Sequence, residues 1–99
     1  MVNELLEELK NKIKVAAEYG NHVSIGLRVK SSNKLSLKHV INADCMLVLS
    51  DCISIEEDNF NLNFNYGKDI VIQKEEIGFE ENYTIQNDIL ELYLVVIGT

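Results

Sequence analysis

The spacing of apolar residues changes from helical to alternating near residue 20, and this change constrains the fold more than any other feature. Between residues 2 and 19, apolar side chains recur at three- and four-residue intervals and form one stripe: Leu5, Leu6, Leu9, Ile13, Ala16 and Ala17. Such spacing is typical of an amphipathic helix, which Gly20 and Asn21 can close in a left-handed conformation. From residue 22 onward, apolar and polar residues alternate as in a half-buried strand. The sequence therefore predicts a single α+β domain over 1–99, with a helix over 2–19 packed on an antiparallel β-meander over 22–97.

The first predicted hairpin follows from this alternation. Residues 31–33, Ser-Ser-Asn, separate two alternating segments. A three-residue loop pairs apolar positions across the two strands: Val29 with Leu35, Leu27 with Leu37, and Ile25 with His39. The apolar residues of both strands then share one face, which is what a stable register requires.

Two more hairpins are predicted from polar dipeptides. Segment 46–56 is interpreted as one strand that directs Leu47, Leu49, Ile53 and Ile55 inward, with Asp51 in the same row. A two-residue turn at Glu57-Asp58 then gives the pairs Ile55–Phe60, Ile53–Leu62, Asp51–Phe64 and Leu49–Tyr66. A turn at Asn87-Asp88 gives the pairs Ile85–Leu90 and Tyr83–Leu92.

The last segment, 89–97, is apolar at both parities. Strands of this composition are usually covered on both faces, and the helix stripe can cover only one of them. The whole chain is expected to form about six or seven strands, with curling toward a barrel as an alternative to an open meander. The second apolar face suggests self-association.

Charge is distributed unevenly along the chain. Residues 1–40 carry a net charge of +3 and residues 41–99 a net charge of −10, which together give the overall −7. An acidic surface repels phosphate, so direct nucleic-acid binding is disfavoured. The same polarity favours a basic protein partner or head-to-tail self-association, although a solvated face that keeps the protein in solution is the simpler explanation.

Two charged surfaces are candidates for binding. The candidate interaction surface consists of carboxylates in predicted turns and strand breaks: Glu56, Glu57, Asp58, Glu75, Glu76, Glu80 and Glu81. The alternative is a basic patch for a small ligand or nucleotide, made of Arg28, Lys30, Lys34 and Lys38. A row of asparagines at 59, 61, 63 and 65 is expected to face solvent, and could instead offer amides to a ligand.

Catalytic and metal-binding chemistry is not predicted. His39 and Asp51 both occupy core parity, but the predicted registers separate them by about 13 Å, too far for acid–base work. Cys45 and Cys52 are seven residues apart and project to opposite faces of a regular strand, with no zinc-type spacing around them. We expect both thiols to be reduced, with Cys52 the more accessible. No cofactor is predicted.

Composition suggests a cellular context. Glu4, Glu7 and Glu8 interrupt the N-terminus where a signal peptide needs an apolar run, and no stretch is long enough to span a membrane. A cytoplasmic location is therefore expected. One arginine stands against eight lysines, a bias typical of AT-rich genomes. The expected function is that of a non-enzymatic protein-binding protein, such as a phage or mobile-element accessory or inhibitor, with a structural homo-oligomer or a ligand-binding module as alternatives.

Overall fold

A computed structural model describes residues 4–66, 70–78 and 80–97. Helix α1 spans Glu4–Glu18, and its apolar stripe is buried as predicted. The helix ends where Gly20 adopts a φ of 68°, a left-handed conformation that favours glycine. The Asn21 N–H donates to the Ala16 carbonyl at 2.8 Å, and the Gly20 N–H donates to the Ala17 carbonyl at 3.2 Å. This bonding satisfies carbonyls that the helix end leaves free. The predicted start at residue 2 lies outside the described residues.

The described part of the chain contains eight strands, more than the six or seven predicted. They are β1 His22–Val29, β2 Leu37–Asn42, β3 Met46–Val48, β4 Cys52–Glu57, β5 Phe60–Asn65, β6 Val71–Ile77, β7 Glu80–Gln86 and β8 Leu90–Ile97. A short 3₁₀-helix, Ala43–Cys45, connects β2 to β3. The strands form a five-stranded antiparallel sheet in the order β2-β1-β8-β7-β6 and a three-stranded sheet in the order β3-β4-β5. The predicted α+β class is confirmed, and the described strands do not close into a barrel.

The extra strand arises because segment 46–56 is a hairpin rather than one strand. The chain reverses at 49–51, where the Leu49 N–H donates to the Cys52 carbonyl at 2.8 Å. Reversal moves Asp51 out of the core row and into solvent, which avoids burying an unpaired charge. It also changes which residues of β3 face inward. Met46 and Val48 are buried, whereas Leu47 and Leu49, predicted to face inward, are 62% and 44% exposed.

The β1–β2 register is confirmed for two of the three predicted pairs. Ile25 pairs with His39 and Leu27 with Leu37, as predicted. The ladder stops there, and the predicted Val29–Leu35 pair does not form. Leu35 lies instead on the opposite face of β1, with its Cδ2 atom 3.4 Å from the position that a Cβ on Gly26 would occupy. The missing side chain at Gly26 therefore makes room for Leu35.

The other two predicted hairpin registers are wrong by two residues. Ile55 pairs with Leu62 rather than Phe60, and Ile85 pairs with Leu92 rather than Leu90. A shift of two keeps every side chain on its predicted face, because the side-chain period of a strand is two. The second shift has a local cause: the Asn87 Oδ1 atom accepts hydrogen bonds from two N–H groups of the turn, at 2.9 and 2.7 Å. These bonds move the centre of the turn one residue toward the C-terminus.

Strand β8 lies at the centre of the five-stranded sheet, between β1 and β7. Consecutive antiparallel strands form the runs β3-β4-β5 and β6-β7-β8, so the arrangement is meander-like. It departs from one sequential meander because β1 pairs with β8 and the strands divide into two sheets. Helix α1 and the three-stranded sheet contribute to one core with the inner face of the larger sheet. Among the largest fully buried side chains of this core are Tyr83, Phe64, Leu9 and Leu94. Helix α1 and the three-stranded sheet therefore pack on only one face of the five-stranded sheet.

Candidate functional site

The acidic turns predicted along the sequence meet at one end of the molecule. His22 pairs with both Asn42 and Ile97, so these residues mark one end of the five-stranded sheet. The β6–β7 turn lies at the same end, because Ile77 pairs with Glu80 there. The β4–β5 turn joins them through the hydrogen bond from the Asn42 N–H to the Glu57 carboxylate, 3.0 Å long. We call this end, with its exposed carboxylates, the acidic end: Glu56, Asp58, Glu75, Glu76 and Glu80.

A cleft of about 690 Å³ opens at the acidic end between β2 and the β4–β5 hairpin. Its apolar part is the stacked pair of His39 and Phe60, whose ring centroids are 4.6 Å apart with an interplanar angle of 23°. Carboxylates and amides complete the lining, with Glu56, Glu57 and Asp58 among them. Three residues of the predicted interaction surface therefore come together around one concave feature.

The three cleft carboxylates differ in their environment. Glu57 is half-buried and held in place, since it accepts the Asn42 N–H and its Oε1 atom lies 3.6 Å from His39 Nε2. The contact with His39 is an ion pair only when the imidazole is protonated. Glu56 and Asp58 are exposed and form no ion pair with any other described residue. Two unpaired carboxylates thus stand beside a fixed one.

Glu81 belongs to a different arrangement. It forms ion pairs with Lys12 of the helix and with Lys74 of β6, the latter at 3.6 Å. Pairing with Lys12 holds the pKa of Glu81 below its ordinary value. Glu8 bonds Lys74 at 3.1 Å, and this contact lowers the pKa of Glu8 and raises that of Lys74. Glu81 therefore links the helix to the sheet through two ion pairs. A substitution of Glu81 by lysine would place three cations together, namely the new side chain, Lys12 and Lys74.

The Tyr83 hydroxyl lies at the centre of this helix–sheet cluster. It donates to the Glu8 carboxylate at 2.9 Å and lies 3.1 Å from the Glu81 carboxylate. Burial, together with these two carboxylates, raises the pKa of Tyr83. The other carboxylates of the β6–β7 hairpin, Glu75, Glu76 and Glu80, are exposed, with Glu76 3.6 Å from Lys74.

The predicted basic patch is only partly free. Arg28 donates to Glu91 at 2.6 Å, to the Ser32 carbonyl at 2.6 Å and to the Tyr93 hydroxyl at 3.1 Å. These bonds occupy the guanidinium that a ligand would need, and they lower the pKa of Glu91. Lys30, Lys34 and Lys38 are exposed. Lys30 lies at the end of the sheet opposite the acidic end, next to the β7–β8 turn that also carries Asp88.

The structure gives His39 a different partner from the one considered in the sequence. Asp51 lies in the β3–β4 turn, whereas His39 faces Glu57 and Phe60 across the cleft. The sequence signal for His39 was a polar residue at a position that the alternation assigns to the core. Its partner Glu57 could not be predicted in the same way, because it belongs to the other sheet. Tyr66, not singled out in the sequence, anchors the β3–β4 turn by hydrogen bonds to the Leu49 and Cys52 carbonyls. Burial raises the pKa of Tyr66 to about 12.

The expected order of thiol accessibility is wrong. Cys52 is buried and Cys45 is half-buried, and both are free. Cys52 shares the parity of exposed residues, but it begins β4 directly beneath the turn that Tyr66 covers. Burial raises the pKa of both thiols. The asparagines at 59, 61, 63 and 65 are exposed, as expected for a solvent-facing row.

The chain matches no protein-family model, no curated protein and no solved structure. Within the described ranges, no helix has the length and apolar character needed to cross a membrane. Among the same residues, no group of three or more His, Cys, Asp or Glu side chains is arranged to hold a metal ion. Function is therefore inferred from the cleft and the charges around it.

Proposed function

We propose that this chain is a non-enzymatic protein-binding module that recognises a basic segment of a partner protein at its acidic end. The observation that carries the proposal is the cleft between β2 and the β4–β5 hairpin. A concave feature with convergent polar groups is where a protein surface most often binds a ligand or side chain.

The chemistry of the cleft suits an arginine or lysine side chain. Glu56 and Asp58 provide carboxylates without ion-pair partners among the described residues. The His39–Phe60 stack provides an apolar wall for the methylene groups of a long cationic side chain. Arginine is favoured over lysine, because its planar guanidinium can bond a carboxylate in two places at once.

The fixed position of Glu57 supports the same conclusion. Its bond from the Asn42 N–H holds this carboxylate in one orientation before any partner arrives. A group that is already ordered loses less conformational entropy on binding. The surrounding carboxylates of the acidic end would attract a basic segment and speed its encounter. If that partner normally binds nucleic acid, occupation of its basic surface would give the inhibitor role expected from the sequence.

A peptide titration tests the proposal. The probe is a short peptide of alternating arginine and serine, and the matched control peptide has glutamine in place of arginine. Binding is followed by amide chemical shifts in ¹H–¹⁵N spectra. We expect the arginine peptide to shift the amides of Asn42, Asp58 and Phe60 and the control peptide to leave them unchanged.

Two double variants separate the cleft from the general negative charge. Glu56→Gln/Asp58→Asn removes two cleft charges, and Glu75→Gln/Glu80→Gln removes two charges from the other edge of the same end. Exposed ion pairs contribute about 0.2–1 kcal/mol each, so the cleft variant should bind about 2- to 30-fold more weakly. The edge variant should bind nearly as the parent does. Equal weakening by both variants, or equal binding of both peptides, would contradict the cleft as the site.

A further inference from the structure

Strand β2 lies at one edge of the five-stranded sheet, and its free edge borders the cleft. Among the described residues, β2 pairs with β1 alone. The cleft separates β2 from the β4–β5 hairpin, and His39 and Asn42 of β2 belong to its lining. An edge strand offers a row of backbone N–H and carbonyl groups with which a further strand can pair. The cleft is therefore bordered by a surface that can bind the backbone of a partner as well as its side chains.

Two hydrogen bonds at the end of β2 show which of its backbone groups face the free edge. The Asn42 N–H donates away from β1, to the Glu57 carboxylate at 3.0 Å. The Ala43 N–H donates toward β1, to the carbonyl of the residue that precedes it, also at 3.0 Å. The residues of a strand in an antiparallel pair alternate between these two directions. The N–H and carbonyl groups of Lys38 and Val40, which share the parity of Asn42, therefore point to the free edge.

The two faces of β2 differ in charge, and this difference specifies the side chains that an added strand would carry. His39 shares the parity of the fully buried Ile41 and lies on the inner face, beside Glu57 and the other cleft carboxylates. Lys38 and Val40 lie on the opposite face and are exposed. Side chains of a paired strand alternate between the same two faces. A basic side chain is thus favoured on the cleft face and disfavoured on the face of Lys38.

We infer that the basic segment binds as an extended strand, pairs antiparallel with the free edge of β2 and directs alternate arginines into the cleft. The inference rests on the proposed function, since it specifies the partner of the same site. Antiparallel pairing is favoured because it is slightly more stable per residue than parallel pairing. Residues of the segment opposite Lys38 and Val40 exchange hydrogen bonds with them and carry small neutral side chains. Pairing stops before Asn42, whose N–H is bonded to Glu57.

Backbone N-methylation of the probe peptide tests this register on the unaltered protein. In an antiparallel pair, the serines of the alternating peptide donate to β2, whereas the N–H groups of its arginines point away. Each hydrogen bond changes a binding constant about two- to tenfold. Methylation of every serine N–H should therefore raise the dissociation constant at least about fivefold. Methylation of every arginine N–H adds the same bulk at the same charge, and this matched control should bind within about threefold of the unmethylated peptide.

Two substitutions of Val40 test the same bond from the protein side. Val40→Pro removes the N–H that points to the free edge and leaves the ladder with β1 intact, a position at which an edge strand tolerates proline. Val40→Thr changes the side chain and keeps the N–H. The proline variant should bind the unmethylated peptide at least about threefold more weakly than the threonine variant does. Circular dichroism checks that both variants are folded, and the methylated peptides test the register without any variant.

The possible outcomes separate this inference from the proposed function. If the unmethylated peptide binds and the two methylated forms weaken equally, the inference is overturned and the cleft remains the binding site. Loss of binding on arginine methylation alone would overturn the antiparallel register. A peptide that leaves every amide unshifted would refute the proposed function, and the inference with it. A chain that sediments at twice its mass of 11.3 kDa, and that Val40→Pro returns to a monomer, would assign the edge to a second copy and also overturn the inference.

Discussion

Replacement of Leu9 by alanine tests whether the helix and sheet form one cooperative core. Leu9 is fully buried in the centre of the α1 stripe. Its replacement removes three carbon groups worth about 0.8 kcal/mol each, or about 2.4 kcal/mol together. An unfilled remainder of about 50 Å³ would add about 1.2 kcal/mol. Alanine is at least as good a helix former as leucine, so the helix itself is not weakened. The expected loss is therefore about 3 to 4 kcal/mol.

Urea unfolding followed by circular dichroism measures this loss of unfolding free energy, and thermal unfolding followed in the same way gives the change in Tm. For a domain of this size, 1 kcal/mol corresponds to a change in Tm of about 4–8 °C, so Leu9→Ala should melt about 12–30 °C below the parent. The dependence of the unfolding free energy on urea should keep its slope, because the surface exposed on unfolding hardly changes.

The neighbouring variant Lys10→Ala is the matched control. Lys10 lies on the exposed side of the same helix, and its replacement should change the unfolding free energy by less than about 0.5 kcal/mol. A Leu9→Ala variant that loses no more stability than Lys10→Ala would refute the packing of α1 on the sheet, and with it the common core described above.

Two further predictions concern the Arg28–Glu91 pair and the thiols. Because Arg28 holds the pKa of Glu91 below 4.5, the stability from this pair is present above about pH 4.5 and is lost as the pH falls through the folded-state pKa. The free-energy difference between the parent and Glu91→Gln, measured by urea titration, should therefore shrink as the pH falls below about 4.5, and a difference that stays constant would contradict the assignment. Cys45 should react with a thiol reagent before Cys52, whose reaction should follow unfolding; faster reaction of Cys52 would show that the β3–β4 turn opens in the native state.

The apolar spacing of the sequence was sufficient to predict local structure and the facing of most side chains. The stripe of α1 and the left-handed Gly20 are confirmed, because helical periodicity and the conformational freedom of glycine act over a few residues. The inward faces of β4, β5, β7 and β8 are also correct, although two hairpin registers are shifted by two residues. A shift of two preserves facing, so a period-two pattern cannot distinguish the two registers.

The long-range arrangement was decided only by the tertiary structure. The pairing of β1 with β8 joins segments more than sixty residues apart, and no local pattern specifies it. The reversal at 49–51 depends on Tyr66, which is distant in sequence and bonds the turn carbonyls. The acidic turns were identified individually, but their meeting at one end follows from these pairings.

The tertiary structure also decides which of the predicted charged residues are free and which are paired. Glu56 and Asp58 are exposed carboxylates, as the sequence suggested, whereas Glu81 and Arg28 are held by partners on other elements. Composition determines how many charges a surface carries. Which of them remain available depends on distances between segments that only the folded chain brings together, because an ion pair forms over a few ångströms and not along the sequence.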